Sequence, residues 1–449
     1  MSSRVRGAVA DARSTPPTPP GARLHCAPVT TAAAAPTLST GTAVLVAVVQ
    51  FLFVGTWTIY VVYLPQLLQA AGLPAAWAPR LLIVDQIVFM ACDIAAGLAA
   101  DRALRTVGRL GGLVAMVTAV SCVAFLLLPH ATGLGAAAGP LLLGLMLVWV
   151  VTSSALRAPP WALLGRHAAR PALPWLNAIT LVGVAASGAL APYLGVVLKQ
   201  FDPRLPFATS SLALMAVTAT LVLVDRRLAA GRGAGAVPAT PSGAAATATP
   251  TLPSGAFLGW LLGTLMLGAA FQIHFSLNAA PQYLRHAAAA QLEWLMPLFW
   301  VGFAAGALPA GALCARVGAL GVAAGGAVIG AVAALVGSWS PSLEVTVAAQ
   351  IIAGASWGAM LPALYTSAAE HGRTGREGLA LGAMCAMLAL ATLVRIAAAL
   401  AGWPKDPDIA RWLAWGPAIL WGLGAWLLTV LALGAATREP PRPLNAPSA

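Results

Sequence analysis

Twelve blocks of about twenty apolar residues recur between residues 41 and 435, and they limit the possible folds of this chain more than any other feature. A helix of that length spans the roughly 30 Å hydrocarbon core of a bilayer. The blocks are too long for barrel strands and do not alternate with a period of two. Because 59% of the residues are hydrophobic and only 8% are charged, a soluble fold would expose a largely apolar surface. The pattern therefore predicts an all-α membrane protein.

The blocks predict twelve transmembrane spans, named span 1 to span 12 in chain order. They lie near residues 43–66, 79–101, 108–129, 139–163, 173–197, 206–225, 255–279, 291–315, 318–338, 342–368, 377–400 and 409–435. Of the 25 Lys and Arg residues, two (Arg157 and Arg395) lie deep within spans, and only six lie in loops or at span ends opposite the termini. The other 17 lie in tails and loops on the same side as the termini. This bias predicts that both termini are cytoplasmic and that the chain is a multi-pass protein of the inner (cytoplasmic) membrane.

The chain divides into two halves. We predict a disordered cytoplasmic tail (1–42), an N-terminal six-helix bundle (43–225), a cytoplasmic linker rich in Gly, Ala, Pro and Thr (226–254), a C-terminal six-helix bundle (255–435) and a cytoplasmic tail (436–449). The basic residues form no continuous stripe, which argues against nucleic acid as a partner.

Two short motifs repeat at nearly one offset. "LPQLL" at 64–68 returns as "APQYL" at 280–284, and "GLAADR" at 97–102 returns as "GALCAR" at 311–316. Two matches at offsets of 216 and 214 indicate that the second bundle duplicates the first.

The loop after span 2 carries G-x-x-x-D-R-x-x-x-R, formed by Gly97, Asp101, Arg102 and Arg105. With twelve spans in two halves and a long central linker, this signature resembles the major facilitator superfamily of secondary transporters. The resemblance implies two pseudo-symmetric six-helix bundles, and it implies that these four residues latch the halves together when the site faces outward. The alternative is that the arginines only fix the topology, although a topology signal does not require Asp101.

Four charges stand out because they lie well away from the ends of the predicted spans: Asp85 and Asp93 on span 2, Arg157 on span 4 and Arg395 on span 11. A charge at the centre of a span costs about 2.5–3.5 kcal/mol on insertion scales, so each needs a partner or a watery cavity. Matching depths predict an Asp93–Arg157 bridge within the first half. Asp85 and Arg395 also lie at matching depths. Because spans 2 and 11 face each other in the superfamily, we predict a second bridge, Asp85–Arg395, between the halves. We expect these pairs to couple transport to protons, and the alternative is permanently closed structural ion pairs.

Polar and aromatic side chains recur at helical spacing on spans 1, 4, 7 and 10, which line the central cavity in the superfamily. The predicted substrate contacts are Thr58, Gln66, Ser153, Trp161, His274, Asn278, Gln282, Gln350, Trp357 and Tyr365. Such side chains suit a small organic molecule that is partly polar and partly apolar. The alternative is that they join neighbouring helices.

The sequence thus predicts a proton-coupled transporter that works by alternating access. "SGALAPYLG" at 187–195 loosely resembles an antiporter signature and favours efflux slightly, whereas "DIAAGLAADR" at 93–102 loosely resembles a symporter pattern. The sequence has no nucleotide-binding loop, catalytic constellation or metal spacing, so we expect neither enzymatic activity nor a cofactor. The expected partners are the substrate, protons and the lipid bilayer, with the chain as a monomer. The alternative function is a non-transporting receptor or assembly factor with the same fold.

Overall fold

The computed structural model of the chain describes residues 39–106, 110–168, 171–230, 254–372 and 375–436. Within these residues, twelve helical segments are long and apolar enough to cross a membrane, and no strand occurs. Spans 1 to 12 are Thr40–Ala70, Ala75–Thr106, Gly111–Ala131, Gly135–Gly165, Leu173–Gln200, Arg204–Leu223, Gly255–Leu284, Ala289–Val317, Ala319–Ser338, Leu343–His371, Glu377–Leu400 and Pro407–Gly434. Residues 1–38 of the predicted N-terminal tail, 231–253 of the predicted linker and 437–449 of the predicted C-terminal tail lie outside the described residues.

The span limits differ from the prediction in two useful places. Span 2 begins with a 3₁₀ turn at Ala75–Trp77, four residues before the predicted start. The helix of span 6 continues to Ala230, five residues into the predicted linker. Boundaries read from hydropathy alone miss such turns, because short polar or Pro-containing ends can still be helical.

Two spans depart from regular α-helix. In span 4, a 3₁₀ turn at Ser154–Leu156 separates two α-helical pieces, and the second piece begins at Pro159. Proline has no N–H to donate and restricts the residue before it, which explains the interruption. In span 7, His274–Asn278 form a π-helical turn. Such turns are often found at functional sites.

Spans 1–6 form one half of the helical unit and spans 7–12 the other. Within the halves, span 1 packs against spans 5 and 6, span 8 packs against span 10, and span 7 packs against spans 11 and 12. The halves meet along two edges, where span 2 packs on span 11 and span 5 packs on span 8. We call the side at which span 1 begins and span 12 ends the terminal side, and the opposite side the far side.

Candidate functional site

The loop signature lies at the closest approach of the two halves, on the terminal side. A Cβ atom placed on Gly97 would fall 2.7 Å from the carbonyl carbon of Gly378, and closer still to its oxygen. Only a glycine at position 97 allows spans 2 and 11 to cross at this distance. The Asp101 carboxylate, 1% exposed, accepts the backbone N–H of Gly378 at 2.7 Å and that of Leu379 at 2.9 Å. Asp101 therefore caps the N-terminus of span 11, where a negative charge also stabilises the helix dipole.

The two arginines of the signature behave differently from the aspartate. Arg102 and Arg105 are exposed at the terminal end of span 2. Their placement is compatible with a topology signal, and neither side chain forms a hydrogen bond or ion pair with span 11 among the described residues.

The second copy of the signature keeps the glycine contact and loses the cap. Gly311 lies against the start of span 5, where a Cβ would be 3.0 Å from Trp175 Cα. Ala315 occupies the place of Asp101, and it lines a cavity of about 350 Å³ together with Pro174 and Glu370.

More contacts join the halves on the terminal side. Trp161 stacks on Tyr365 with ring centroids 3.9 Å apart. Two predicted cavity residues are therefore paired across the boundary between the halves, which we call the seam. The Asn177 amide donates to the Thr366 hydroxyl at 3.0 Å. In the described parts of the chain, every side-chain hydrogen bond between the halves lies between the terminal ends and the middle of the spans.

The expected Asp93–Arg157 contact is present. Arg157 Nε donates to Asp93 Oδ2 at 3.0 Å, and the Asp93 side chain is fully buried. The same guanidinium lies 4.5 Å from the centre of the Phe89 ring, which is a cation–π contact. It also donates to the backbone carbonyl of Cys385 on span 11 at 3.4 Å. Arg157 thus joins span 4 to span 2 and reaches the other half.

The expected Asp85–Arg395 bridge does not form. Asp85 Oδ2 instead accepts a hydrogen bond from the Tyr60 hydroxyl at 2.8 Å. Spans 2 and 11 run antiparallel, and their register is set by the approaches of Gly97 to Gly378 and of Gly382 to the Asp93 backbone. This register places Asp85 opposite residue 390, about five residues or ~7.5 Å from the level of Arg395. The prediction failed because span 2 begins four residues earlier than its hydropathy indicates, so Asp85 lies deeper.

Arg395 also faces a different neighbour. Leu388 and Ala391 pack beside Gly268 of span 7, and Thr392 accepts a hydrogen bond from Gln272 of span 7 at 2.9 Å. Arg395 follows one turn later on this face of span 11. Its buried Nε has no hydrogen-bond partner among the described residues.

The polar residues of span 7 point into the C-terminal half. His274 Nε2 lies 3.1 Å from Gln350 Oε1, and the Gln350 amide donates to Gln282 Oε1 at 2.8 Å. Gln282 continues to Ser338 at 3.4 Å, and Asn278 donates to the carbonyl of Leu413 at 2.8 Å. These partners lie on spans 9, 10 and 12, so in this conformation the four predicted cavity residues join helices of one half. This matches the alternative reading of their spacing.

The remaining predicted cavity residues are placed as follows. Trp357 is buried and stacks on Phe271 at 4.8 Å. Thr58 and Ser153 donate to backbone carbonyls of their own helices, and Gln66 is exposed near the far end of span 1. Among the described residues, no group of three His, Cys, Asp or Glu side chains lies close enough to hold a metal ion.

The sequence did not predict the contacts that Tyr60, Phe89 and Gly378 make. Tyr60 and Phe89 look like ordinary apolar-face residues, and Gly378 is one of 45 glycines. A usable signal existed for Phe89, because it lies four residues from both Asp85 and Asp93 and so shares their helical face.

Comparison with known proteins rests on structure. No family profile matches the sequence, and no curated protein gives a significant match. Among solved structures, a bacterial homologue of the iron transporter ferroportin superposes with a TM-score of 0.69 at 14% identity, covering 88% of this chain and 100% of that one. A human organic anion transporter gives 0.61 at 15% identity, covering 88% and 99%. The fucose:proton symporter of E. coli gives 0.58 at 14% identity, covering 89% and 98%. The chain therefore has the same twelve-helix fold as these solved structures, and it is the fold that the sequence predicts.

Proposed function

We propose that this protein is a secondary active transporter that moves a small organic molecule across the cytoplasmic membrane by alternating access. The observation that carries the proposal is that the polar contacts between the halves all lie toward the terminal side. Asp101 binds the start of span 11, Trp161 stacks on Tyr365, and Arg157 reaches Cys385. All three contacts lie toward the terminal side and can be broken by a rocking motion of the halves.

The excess of Lys and Arg near the termini supports a cytoplasmic terminal side. The described conformation is then closed toward the cytoplasm. Rocking would separate Arg157 from Cys385 and strain its contact with Asp93. A carboxylate that loses its guanidinium in an apolar seam favours protonation, which supports proton coupling through Asp93. The partial antiporter pattern around Pro192 favours efflux slightly.

A distance experiment tests alternating access without knowledge of the substrate. Spin labels are placed on the exposed Thr106 and Val317 at the terminal side, and on the exposed Gln69 and Leu284 at the far side. The protein is reconstituted in nanodiscs, and both distances are measured between pH 5 and pH 8. A transporter should show two populations whose terminal-side and far-side distances change in opposite directions. One fixed population at both sides would contradict the proposal and favour a receptor or an assembly factor.

Proton coupling is tested by the same measurement. Asp93→Asn keeps the shape of the side chain and removes its charge, so the pH dependence of the Thr106–Val317 distance should disappear. The exposed Asp408, which pairs with Arg411 at 3.8 Å, provides a matched control, because Asp408→Asn should keep that dependence. Unchanged pH dependence in Asp93→Asn would exclude Asp93 from the coupling.

A further inference from the structure

One buried charge of the N-terminal half has no basic partner. Asp93 is compensated by Arg157 at 3.0 Å, but Asp85, 6% exposed, has only the neutral Tyr60 hydroxyl as a described hydrogen-bond partner. No Lys, Arg or His of the described residues lies within 4.0 Å of the Asp85 carboxylate. A buried carboxylate without a counter-charge is costly, so Asp85 needs either a proton or a cation that comes from outside the chain.

Aromatic rings pack around Tyr60, the residue that binds this carboxylate. Trp57 lies 5.4 Å from Tyr60, 5.5 Å from Phe89 and 5.8 Å from Trp149, measured between ring centroids. Tyr60 and Trp149 are 4.6 Å apart. These rings come from spans 1, 2 and 4, and we call them the aromatic cluster. Because aromatic faces carry negative potential, the cluster and Asp85 attract the same sign of charge.

The aromatic cluster belongs to the seam between the halves. Ala389 of span 11 packs into the same buried group as Tyr60, Phe89 and Trp149. Separation of spans 2 and 11 would therefore uncover the cluster. Trp57 is half-buried, so part of its side chain is accessible in this conformation.

The cluster already stabilises one cation. The guanidinium of Arg157 stacks on Phe89 at 4.5 Å, and its charge is fully matched by Asp93. The other unmatched charge, Arg395, follows the face of span 11 that packs on span 7, away from Asp85. Of the charged side chains near the aromatic cluster, Asp85 is therefore the one that a bound molecule can pair with, and its charge is negative.

We infer that the aromatic cluster and Asp85 form the binding site for an organic cation with an aromatic or alkyl body, and this inference rests on the proposed transport function. The cationic group lies against Asp85 and the face of Trp57, and the apolar body packs on the remaining rings. A carboxylate-bearing substrate is disfavoured by the same charge.

Three small probes of similar size test the sign of the charge. Benzyltrimethylammonium, benzyl alcohol and benzoate are titrated into the purified full-length protein, and binding is followed by calorimetry and by tryptophan fluorescence. We expect the cation to bind at least tenfold more tightly than the other two. Asp85→Asn should weaken cation binding at least tenfold and leave benzyl alcohol unaffected, whereas Asp408→Asn should change neither. Trp57→Leu should weaken the cation several-fold, and Trp57→Phe should retain most of the affinity.

Three results would overturn the inference: equal affinity for the cation and the alcohol, cation affinity unchanged in both Asp85→Asn and Trp57→Leu, or preferred binding of benzoate that is lost in Arg395→Gln. The distance experiment does not depend on these binding results. A wrong ligand class and a wrong transport function are therefore distinguishable.

Discussion

Gly97→Ala should open the terminal side of the molecule. The new Cβ would lie 2.7 Å from the carbonyl carbon of Gly378, whereas carbon atoms in contact are about 3.5–4.0 Å apart. Spans 2 and 11 must therefore separate by ~0.8 Å or more at this crossing. The two hydrogen bonds of Asp101, at 2.7 and 2.9 Å, would lengthen to about 3.5 Å or beyond and be largely lost.

The cost can be set from these two bonds. A hydrogen bond to a charged group contributes about 1.5–3 kcal/mol, so losing both destabilises the closed terminal side by ~3 kcal/mol or more. Since 1.4 kcal/mol is a factor of ten, the ratio of closed to open states falls roughly 100-fold. A closed state that is populated about 99:1 would then be near parity with the open one.

Cys385 offers a native reporter for this change. Its side chain is 3% exposed and lies at the seam beside Arg157, so maleimide labelling should be slow in the parent protein and much faster in Gly97→Ala. Gly112→Ala is the matched control, because a Cβ there meets nothing within 4 Å. The other cysteines are replaced in all variants. If Gly97→Ala labels no faster than Gly112→Ala while both remain folded, the close crossing does not hold the terminal side shut.

Three further substitutions give independent outcomes. Asp101→Ala should speed Cys385 labelling about as much as Gly97→Ala does. Asp101→Asn should speed labelling less, because its amide oxygen still accepts one N–H. Equal labelling rates in both variants and the parent would argue against the cap. Gly188→Ala places a Cβ 2.6 Å from Cδ2 of the Trp300 indole, and closer still to Cε2, so it should lower the melting temperature by several degrees. The double variant Gly188→Ala/Trp300→Ala should recover stability, and additive losses would contradict a direct clash. Gln350→Leu removes the partners of His274 and Gln282 and should lower stability by about 1–3 kcal/mol without changing the Thr106–Val317 distance, with the exposed Gln69→Leu as control; a shifted distance would indicate a role in rocking.

Hydropathy and residue spacing were sufficient to predict the number and approximate positions of the helices. Contacts that depend only on the depth and face of a residue on its helix were also predictable. Asp93 and Arg157 were found because both lie mid-span, where a charge must be neutralised locally. To predict correctly whether Asp85 meets Arg395, the position of the far end of span 2 must be known to within one helical turn. The 3₁₀ turn at Ala75–Trp77 places that end four residues before the predicted one. The faces of His274 and Gln350 were read correctly as polar stripes, but periodicity does not reveal which neighbouring helix a stripe meets. That information depends on the tertiary packing of the half.

The two copies of the loop signature show why the two edges between the halves differ. In the first copy, Asp101 accepts N–H groups from the second and third residues of span 11. At the start of span 5, the second residue is Pro174, which has no N–H to donate. A carboxylate in place of Ala315 would therefore gain less there and would still pay for desolvation. The glycine contact at Gly311 persists without the cap, and the cavity of about 350 Å³ lies beside it. If the halves rock as we propose, we expect the edge between spans 5 and 8, which lacks this cap, to separate before the edge between spans 2 and 11.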